Sequence, residues 1–328
     1  MSVPFTEDEL IARLFAPLAG PGGLALRDDA ALISPPPGTQ IVATTDAIVA
    51  GVHFFADDPP RCVARKALRT NLSDLAAKGA DPHGFLLTLA LPAEVSAQWL
   101  EDFAAALGED CRAYAIDLLG GDTVRTPGPA MISITALGLA PTGKMVPRTG
   151  ARPGDALYVS GTIGDAAIGL KLRADAAFLS VLPTRARNEL VSRYLEPRPR
   201  NALAATMRAH ASGGMDVSDG FIGDIAKMLA ASGVSARINL ADVPLSAAAR
   251  AAIALDASFF DAALVGGDDY ELLASVPPGS AAAFEAGACA AHVDVARVGW
   301  VVAGPAPPEF IGADGALRKF ARGSFSHF

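Results

Sequence analysis

The sequence predicts an α+β protein of two domains, with mixed α/β layers in each. At 328 residues, the chain is too long for one average hydrophobic core. Because 51% of the residues are apolar and only 19% are charged, a large core can form and disorder is not expected. Strand and helix patterns occur together in both halves, which favours layered α/β or α+β architecture over an all-helical or all-β fold.

The N-terminal half begins with a helix signal. Thr6 to Glu9 has the spacing of a capping box, and apolar residues follow it at helical intervals. Paired prolines open the next helix, and Gly79 closes it. The further elements predicted in this half are a strand at Ile41–Thr45, a helix from Pro59 to Lys78, a strand at Phe85–Leu91, a helix from Ser96 and a strand at Met131–Leu139.

A change in composition predicts where the domains divide. Between Pro141 and Pro153 the sequence becomes rich in Pro, Gly, Arg and Lys, so we assign residues 1–146 to the first domain and 147–328 to the second. The elements predicted in the second domain are a strand at Ala156–Ser160, a helix from Asp165, helices across 185–210, a helix at Phe221–Ala231, a strand at Ala236–Leu240, a helix near 246–255 and strands at Glu271–Val276 and Ala296–Val302.

Composition also excludes several classes of protein. The formal net charge of -8 argues against nucleic-acid binding, which needs a basic face. The three cysteines, Cys62, Cys111 and Cys289, show no CxxC spacing, so neither a disulfide framework nor a zinc site is expected. The acidic N-terminus does not resemble a signal peptide, and no apolar run reaches the ~18 residues of a membrane span. These features predict a cytoplasmic protein without membrane partners.

Two ligand-binding motifs are nearly matched but fail. Gly138–Met145 resembles a Walker A loop, yet Met145 stands where Ser or Thr must hold magnesium, and a proline follows where a helix should begin. The Asp-rich turn at 213–224 fails as an EF-hand, which needs Gly at position 6 and Glu at position 12. Counted from Asp216, those positions hold Phe221 and Lys227.

Aspartates beside glycines or helix starts recur through both halves. Taken singly, each fits a helix cap or a turn residue. Taken together, they predict a magnesium–phosphate site, because hard oxygen ligands without thiols select magnesium and glycine-rich turns let backbone N–H groups approach phosphates. The loop Ser160–Asp165 also fits a phosphate site or an ordinary strand-to-helix turn. Asp224 is expected on a helix surface, and Asp219 is expected to cap that helix while facing a metal.

Six segments of the sequence, taken in chain order, resemble the thiamine-monophosphate kinase family of the aminoimidazole ribonucleotide synthetase-like superfamily. The resemblance runs from residue 28 to 272 and implies two domains of that superfamily's N- and C-terminal types. The matching segments are Asp28–Leu32, Thr44–Phe54, Asn71–Pro82, Gly120–Thr123, Met215–Gly220 and Gly266–Leu272.

The resemblance implies ATP-dependent phosphorylation of thiamine monophosphate to thiamine diphosphate, with several Mg²⁺ ions and a homodimer formed through the N-terminal domains. The metal-site residues it implies are Asp29, Thr44, Thr45, Asp46, Asp74, Asp122, Asp216 and Asp219. Those implied for ATP are Gly121, Asp122, Arg148 and Ser218, and those for the substrate are His53, Asp268 and Phe325. The chain departs from the family at Asp268, which is more often Glu, and at Arg27, which is usually Gly.

The implied reaction needs little general acid–base catalysis. The second pKa of a phosphate monoester is ~6, so the acceptor is largely ionised at neutral pH and no general base is assigned. Catalysis is expected from in-line positioning and charge neutralisation once both halves close around ATP. Two alternatives stay open: an ATP-dependent relative acting on a purine ribonucleotide intermediate, and a non-catalytic nucleotide or thiamine-phosphate sensor. Alone, His53 also fits a packed histidine and Arg148 a solvated hinge arginine.

Overall fold

The structure is a computed structural model that describes residues 6–174, 182–321 and 323–324. It divides into two compact units, and from here on the names first and second domain refer to these units and not to the predicted ranges. The first contains residues up to 75 together with 80–143, and the second contains 76–79 together with 144 onward. Helices and mixed sheets occur in the chain as the α+β prediction requires, and that prediction is confirmed. Within the described residues, no helix is both long and apolar enough to cross a membrane.

The first domain is built on a four-stranded sheet with the strand order β1-β4-β2-β3. All neighbours are antiparallel except β2 and β3, which run parallel. Residues up to 143 form helices α1 (Glu7–Leu10), α2 (Pro60–Ala77) and α3 (Ala97–Tyr114) and strands β1 (Thr39–Val49), β2 (Asp81–Leu91), β3 (Asp117–Arg125) and β4 (Met131–Pro141). Short 3₁₀ and π turns cover 11–18 and 21–26.

Helix α2 has one apolar face, and this face is buried. Leu68, Leu72 and Leu75 recur at helical spacing and are fully buried in the first core. Gly79 follows with a φ of 65°, a left-handed conformation that suits glycine after a helix end. These signals explain why the helix was predictable from local sequence, and its position fixes the residues on its polar side.

The second domain contains a seven-stranded sheet with the order β11-β10-β7-β9-β5-β8-β6. Its strands are β5 (Ala156–Ser160), β6 (Gly213–Val217), β7 (Ser235–Asn239), β8 (Glu271–Val276), β9 (Val295–Val302), β10 (Glu309–Ile311) and β11 (Leu317–Arg318). Its helices are α4 (Asp165–Ala174), α5 (Thr184–Leu195), α6 (Ala204–His210), α7 (Phe221–Ser232), α8 (Ala247–Leu255), α9 (Ser258–Val265) and α10 (Ala281–Ala290).

Two glycine-rich segments that suggested turns are strands. Asp122 lies inside β3, and Asp216 lies inside β6. Gly121 is required by the closeness of the neighbouring strand, because a Cβ there would lie 1.9 Å from the carbonyl oxygen of Leu87. In the described residues 142–147 no helix begins, which agrees with rejecting a Walker A loop.

The raised pKa of Tyr158 is expected to make the folded protein less stable at alkaline pH. Its ring is buried and its Oη donates to Glu285 Oε1 at 2.6 Å. Burial, together with this hydrogen bond, raises the pKa of Tyr158 to about 12. The folded state therefore keeps a proton that the unfolded chain loses near its ordinary pKa of ~10, so stability falls as pH rises from 10 through 12.

The test compares the wild type with Tyr158→Phe in chemical unfolding. We expect the stability difference between them to shrink by about 1 kcal/mol from pH 9 to pH 11, because only the wild type carries the titrating hydroxyl. A difference that stays constant over this range would contradict the prediction.

Candidate active site

Two of the predicted metal-site segments meet in the first domain, where β1 packs beside α2. Thr44 Oγ1 donates a hydrogen bond to Asp74 Oδ2. Two residues further along β1, the backbone N–H of Asp46 donates at 3.1 Å to Oδ1 of Asn71, which lies about one turn before Asp74 on α2. Asn71 is fully buried, and its Nδ2 donates to Ala67 O at 3.1 Å, so the helix holds this side chain in place. Thr44 and Asp74 therefore meet through their side chains, whereas Asp46 is tied to Asn71 through its backbone; we call Thr44, Asp46, Asn71 and Asp74 the Thr44–Asp74 cluster.

Thr45 belongs to the other face of the sheet. Successive side chains of a strand point to opposite faces, so Thr45 is directed away from the side of Thr44. Its Oγ1 donates to Ile134 O at 3.1 Å and accepts from Thr135 Oγ1 at 3.0 Å. The hydroxyl of Thr45 therefore binds β4, and its role at a metal site stays a prediction.

His53 is fixed in the turn that follows β1. Its backbone N–H donates to Val49 O at 2.9 Å, and the N–H of Val49 donates back to His53 Nδ1 at 3.0 Å. The buried Lys66 donates from Nζ to His53 O at 2.8 Å. Because Nδ1 accepts a hydrogen bond, the neutral imidazole carries its proton on Nε2.

Within the residues that the structure describes, Asp29 and Asp122 do not join the Thr44–Asp74 cluster. Asp122 is exposed on β3 opposite Thr88, beside the exposed Gly121. Asp29 is exposed in a segment without regular structure. Over residues 6–174, 182–321 and 323–324, no three His, Cys, Asp or Glu side chains group closely enough to hold a metal ion by themselves.

The cluster nevertheless has the donor chemistry of a magnesium site. Magnesium prefers oxygen ligands and is usually bound through one or two carboxylates, with waters and substrate phosphates completing its shell. Asp46 and Asp74 supply the carboxylates, and Thr44 supplies a hydroxyl oxygen. These residues therefore fit the ion that the sequence predicted.

In the second domain, Asp224 organises the Asp-rich turn, and the prediction that it lies on the helix surface is wrong. Asp224 is fully buried, not on the surface of α7. Its Oδ2 accepts three successive backbone N–H groups, from Ser218 at 3.0 Å, Asp219 at 2.8 Å and Gly220 at 3.1 Å. Burial raises the pKa of Asp224, and hydrogen bonds from Lys227 offset part of that rise. Asp224 thus determines the conformation of the turn.

Asp219 does not cap α7, contrary to the expectation from the sequence. Gly220 occupies the N-cap position with a φ of 130°, and no side chain caps the helix there. The carboxylate of Asp219 instead accepts from Lys227 Nζ at 2.5 Å, and Lys227 also donates to Asp224 Oδ1 at 2.9 Å. The sequence signal for this arrangement was the Asp–Lys spacing of three residues at the helix start.

Asp216 lies in β6, at the start of this segment. Its side chain is buried, with 5% of its surface exposed. Strand β6 pairs with β8, and Asp216 stands opposite Leu272. Asp216 and Asp219 therefore differ in environment, since the side chain of Asp219 is 41% exposed.

The predicted substrate residue Asp268 lies beside the same turn. Its N–H donates to Ser218 O at 2.8 Å, and its Oδ1 accepts from Tyr270 Oη at 3.0 Å. The backbone of Asp268 is left-handed, with a φ of 71°. Gly267 must be glycine, because a Cβ there would lie 2.2 Å from Ser218 O. The structure therefore brings two distant motifs of the second domain together.

The loop Ser160–Asp165 is an ordinary strand-to-helix turn. Its Gly164 N–H donates to Asp269 Oδ2 at 2.6 Å, and the N–H of Ala166 donates to Asp269 Oδ1 at 3.3 Å. Asp269 is buried, and burial raises its pKa well above the usual range. The backbone N–H groups of Gly164 and Ala166 are therefore already bound to the side chain of Asp269 and are not available to a phosphate.

Arg148, another of the predicted site residues, is an exposed cation. Arg148 lies at the start of a 3₁₀ turn, Arg148–Gly150, and is exposed. Its carbonyl oxygen accepts from Ser232 Oγ at 3.2 Å, which fixes the backbone and leaves the guanidinium toward solvent. Phe325 lies outside the described residues.

Comparison with known proteins places these features in a family. Residues 27–140 match the N-terminal domain of AIR synthase related proteins, and residues 152–308 match their C-terminal domain. The thiamine-monophosphate kinase of Caulobacter vibrioides is 44% identical over 308 residues, which cover 92% of this chain and 86% of that protein.

Two solved structures extend the comparison. Thiamine-monophosphate kinase from Stenotrophomonas maltophilia K279a is 34% identical with a TM-score of 0.83, covering 97% of this chain and 99% of that one. AaThiL complexed with AMPPCP and TMP is 27% identical with a TM-score of 0.77, covering 98% of this chain and 94% of that one. The resemblance and the enzyme class predicted from the sequence are confirmed by these relatives. The chain belongs to the thiamine-monophosphate kinase family, built from the two domains of AIR synthase related proteins.

Proposed function

We propose that this chain transfers the γ-phosphoryl group of ATP to thiamine monophosphate, giving thiamine diphosphate and ADP. The observation that carries the proposal is the cluster of Thr44, Asp46 and Asp74, in which two separate family segments are held together by hydrogen bonds. Support comes from the 44% identity to a thiamine-monophosphate kinase and from a relative complexed with AMPPCP and TMP.

Each domain supplies its own carboxylates to several magnesium ions in this proposal. Thr44, Asp46 and Asp74 hold magnesium in the first domain, with Asp29, Thr45 and Asp122 as further ligands. Asp216 and Asp219 serve the same purpose in the second domain. Magnesium, when bound, neutralises the negative charge of the ATP phosphates.

The remaining residues orient the two substrates for in-line transfer. Gly121, Asp122, Arg148 and Ser218 contact ATP, and the exposed guanidinium of Arg148 supplies a cation for its phosphates. His53 and Asp268 contact thiamine monophosphate, with Phe325 as a third contact. Because the N–H of Val49 holds Nδ1, the imidazole of His53 presents an Nε2–H donor that suits a phosphate oxygen.

No residue is assigned as a general base. The phosphate monoester of the acceptor is largely ionised at neutral pH, since its second pKa is ~6. The rate therefore depends on bringing one anion to another in the correct orientation. This requirement agrees with a proposed site that is rich in carboxylates and has a single histidine, His53.

The direct test is turnover by the purified chain. Incubation with ATP, Mg²⁺ and thiamine monophosphate is expected to give thiamine diphosphate and ADP in equal amounts, and EDTA is expected to stop the reaction. Absence of product at saturating substrates would reject the proposal. ATP binding without transfer would instead identify a sensor, and turnover of a purine ribonucleotide alone would identify a different enzyme of the superfamily.

A homodimer formed through the first domain and a cytoplasmic location are part of the same proposal. Light scattering of the purified protein tests the first of these. A mass of twice the 33.5 kDa chain is expected.

A further inference from the structure

Lys227 lies between two carboxylates that differ in their surroundings. Its Nζ donates to Asp219 Oδ2 at 2.5 Å and to Asp224 Oδ1 at 2.9 Å. The side chain of Asp219 is 41% exposed, whereas that of Asp224 is 1% exposed. Burial alone would lower the pKa of Lys227, but the hydrogen bonds to both carboxylates raise it, so the amine is charged at neutral pH.

These two contacts differ in how easily they break. Exposed ion pairs contribute little free energy, whereas a buried carboxylate that loses its partner is costly. Asp224 is also fixed by three backbone N–H groups, so it cannot turn away from Lys227. The contact with Asp219 can therefore open while the contact with Asp224 persists.

The same arrangement fixes the backbone on which Asp219 is carried. Because the N–H of Asp219 is bound to Asp224 at 2.8 Å, the Asp219 carboxylate can move only by rotating its side chain. Its change of partner from a lysine to another cation then requires no rearrangement of the turn. A single positive charge on Lys227 meanwhile limits the repulsion between Asp219 and Asp224 when no ligand is bound.

From this geometry we propose that Lys227 is an internal counter-ion that holds Asp219 in the ligand-free protein and yields it to the magnesium of bound ATP. Lys227 remains on Asp224 throughout. The inference rests on the proposed function, because it takes Asp219 as a magnesium ligand. Lys227 is thus a positioning residue that sets how much magnesium the nucleotide site requires.

The experiment measures magnesium dependence by binding, without turnover. The affinity for AMPPCP is determined by calorimetry at a series of Mg²⁺ concentrations for the wild type and for Lys227→Met. Removing the competing charge is expected to lower the half-saturating Mg²⁺ concentration roughly two- to fivefold. Lys171→Met is the control, since it removes one exposed charge from α4 of the same domain and should leave this concentration unchanged.

A second variant guards against damage to the fold. Lys227→Gln removes the charge but keeps an N–H donor for Asp224, and it should shift the Mg²⁺ dependence in the same direction. An unchanged or higher Mg²⁺ requirement in correctly folded variants would overturn the inference. So would a tenfold loss of AMPPCP affinity at saturating Mg²⁺, because Lys227 would then be a phosphate ligand.

The outcome also separates this inference from the proposed function. If the wild type shows no Mg²⁺-dependent binding of AMPPCP, the proposed function fails. If the wild type binds as expected and both Lys227 variants match it, only the inference about Lys227 fails.

Discussion

Replacing Asp74 by Asn is expected to lower kcat/KM for thiamine monophosphate phosphorylation roughly a hundredfold or more, the usual effect of removing one group that stabilises transition-state charge. The amide keeps the size of the carboxylate and can still accept the hydrogen bond from Thr44, so the cluster should retain its shape. What is lost is the negative charge that would hold magnesium.

Melting experiments distinguish a binding defect from a folding defect. Without ligand, the Tm of Asp74→Asn should stay close to that of the wild type. The rise in Tm caused by Mg²⁺ and AMPPCP should shrink, because stabilisation by a ligand depends on its affinity for the folded state. Asp102→Asn, on α3 of the same domain, is the matched control and should behave as wild type. Full activity in Asp74→Asn would remove Asp74 from the proposed ligand set.

Replacing Glu271 by Gln is expected to destabilise the second domain by about 3–5 kcal/mol. Glu271 is fully buried at the start of β8. Its Oε1 accepts from Arg193 Nη2 at 2.8 Å, and its Oε2 accepts from Ser160 Oγ at 2.6 Å and Arg200 Nε at 2.6 Å. The substitution leaves the buried guanidinium of Arg193 without its counter-charge, and it also removes the counter-charge of Arg200, whose side chain is 23% exposed.

A surface pair of the same chemistry provides the control. Arg237 and Glu309 form an ion pair at 2.9 Å in which both side chains are about half exposed. Glu309→Gln should change the stability by less than ~1 kcal/mol. Thermal melting is expected to show a decrease of about 10 °C for Glu271→Gln and little change for Glu309→Gln. Equal effects of the two substitutions would contradict the assignment of Glu271 as a buried structural charge.

Local signals in the sequence predicted much of the fold. The capping box is present, since the N–H of Glu9 donates to Thr6 Oγ1 at 3.2 Å and Glu9 Oε2 accepts from Thr6 N at 2.9 Å. The strand predicted at Ala156–Ser160 has the observed bounds. Such signals act between residues close in sequence, so they can be read without knowing the tertiary structure.

Features that depend on distant residues could not be predicted in this way. Gly121 looked like a turn residue because the requirement for glycine comes from Leu87, which lies on another strand. Asp224 looked like a surface residue because its burial depends on how the preceding turn folds over it. The contact between Asp268 and Ser218 joins two motifs that are far apart in the chain. The family segments were therefore recognisable in the sequence, but the hydrogen bonds within and between them were not predictable.

The order of strands in the second domain has a consequence for biosynthesis. Strand β5 lies between β8 and β9, so both of its partners are made long after it leaves the ribosome. Its buried Leu157 and Val159 stay without their final neighbours during that interval. Non-local pairing slows folding, and exposed apolar strands promote aggregation in the meantime. We expect this domain to complete its sheet only after β8 and β9 have been synthesised, so chaperone supply and temperature should control the yield of folded protein.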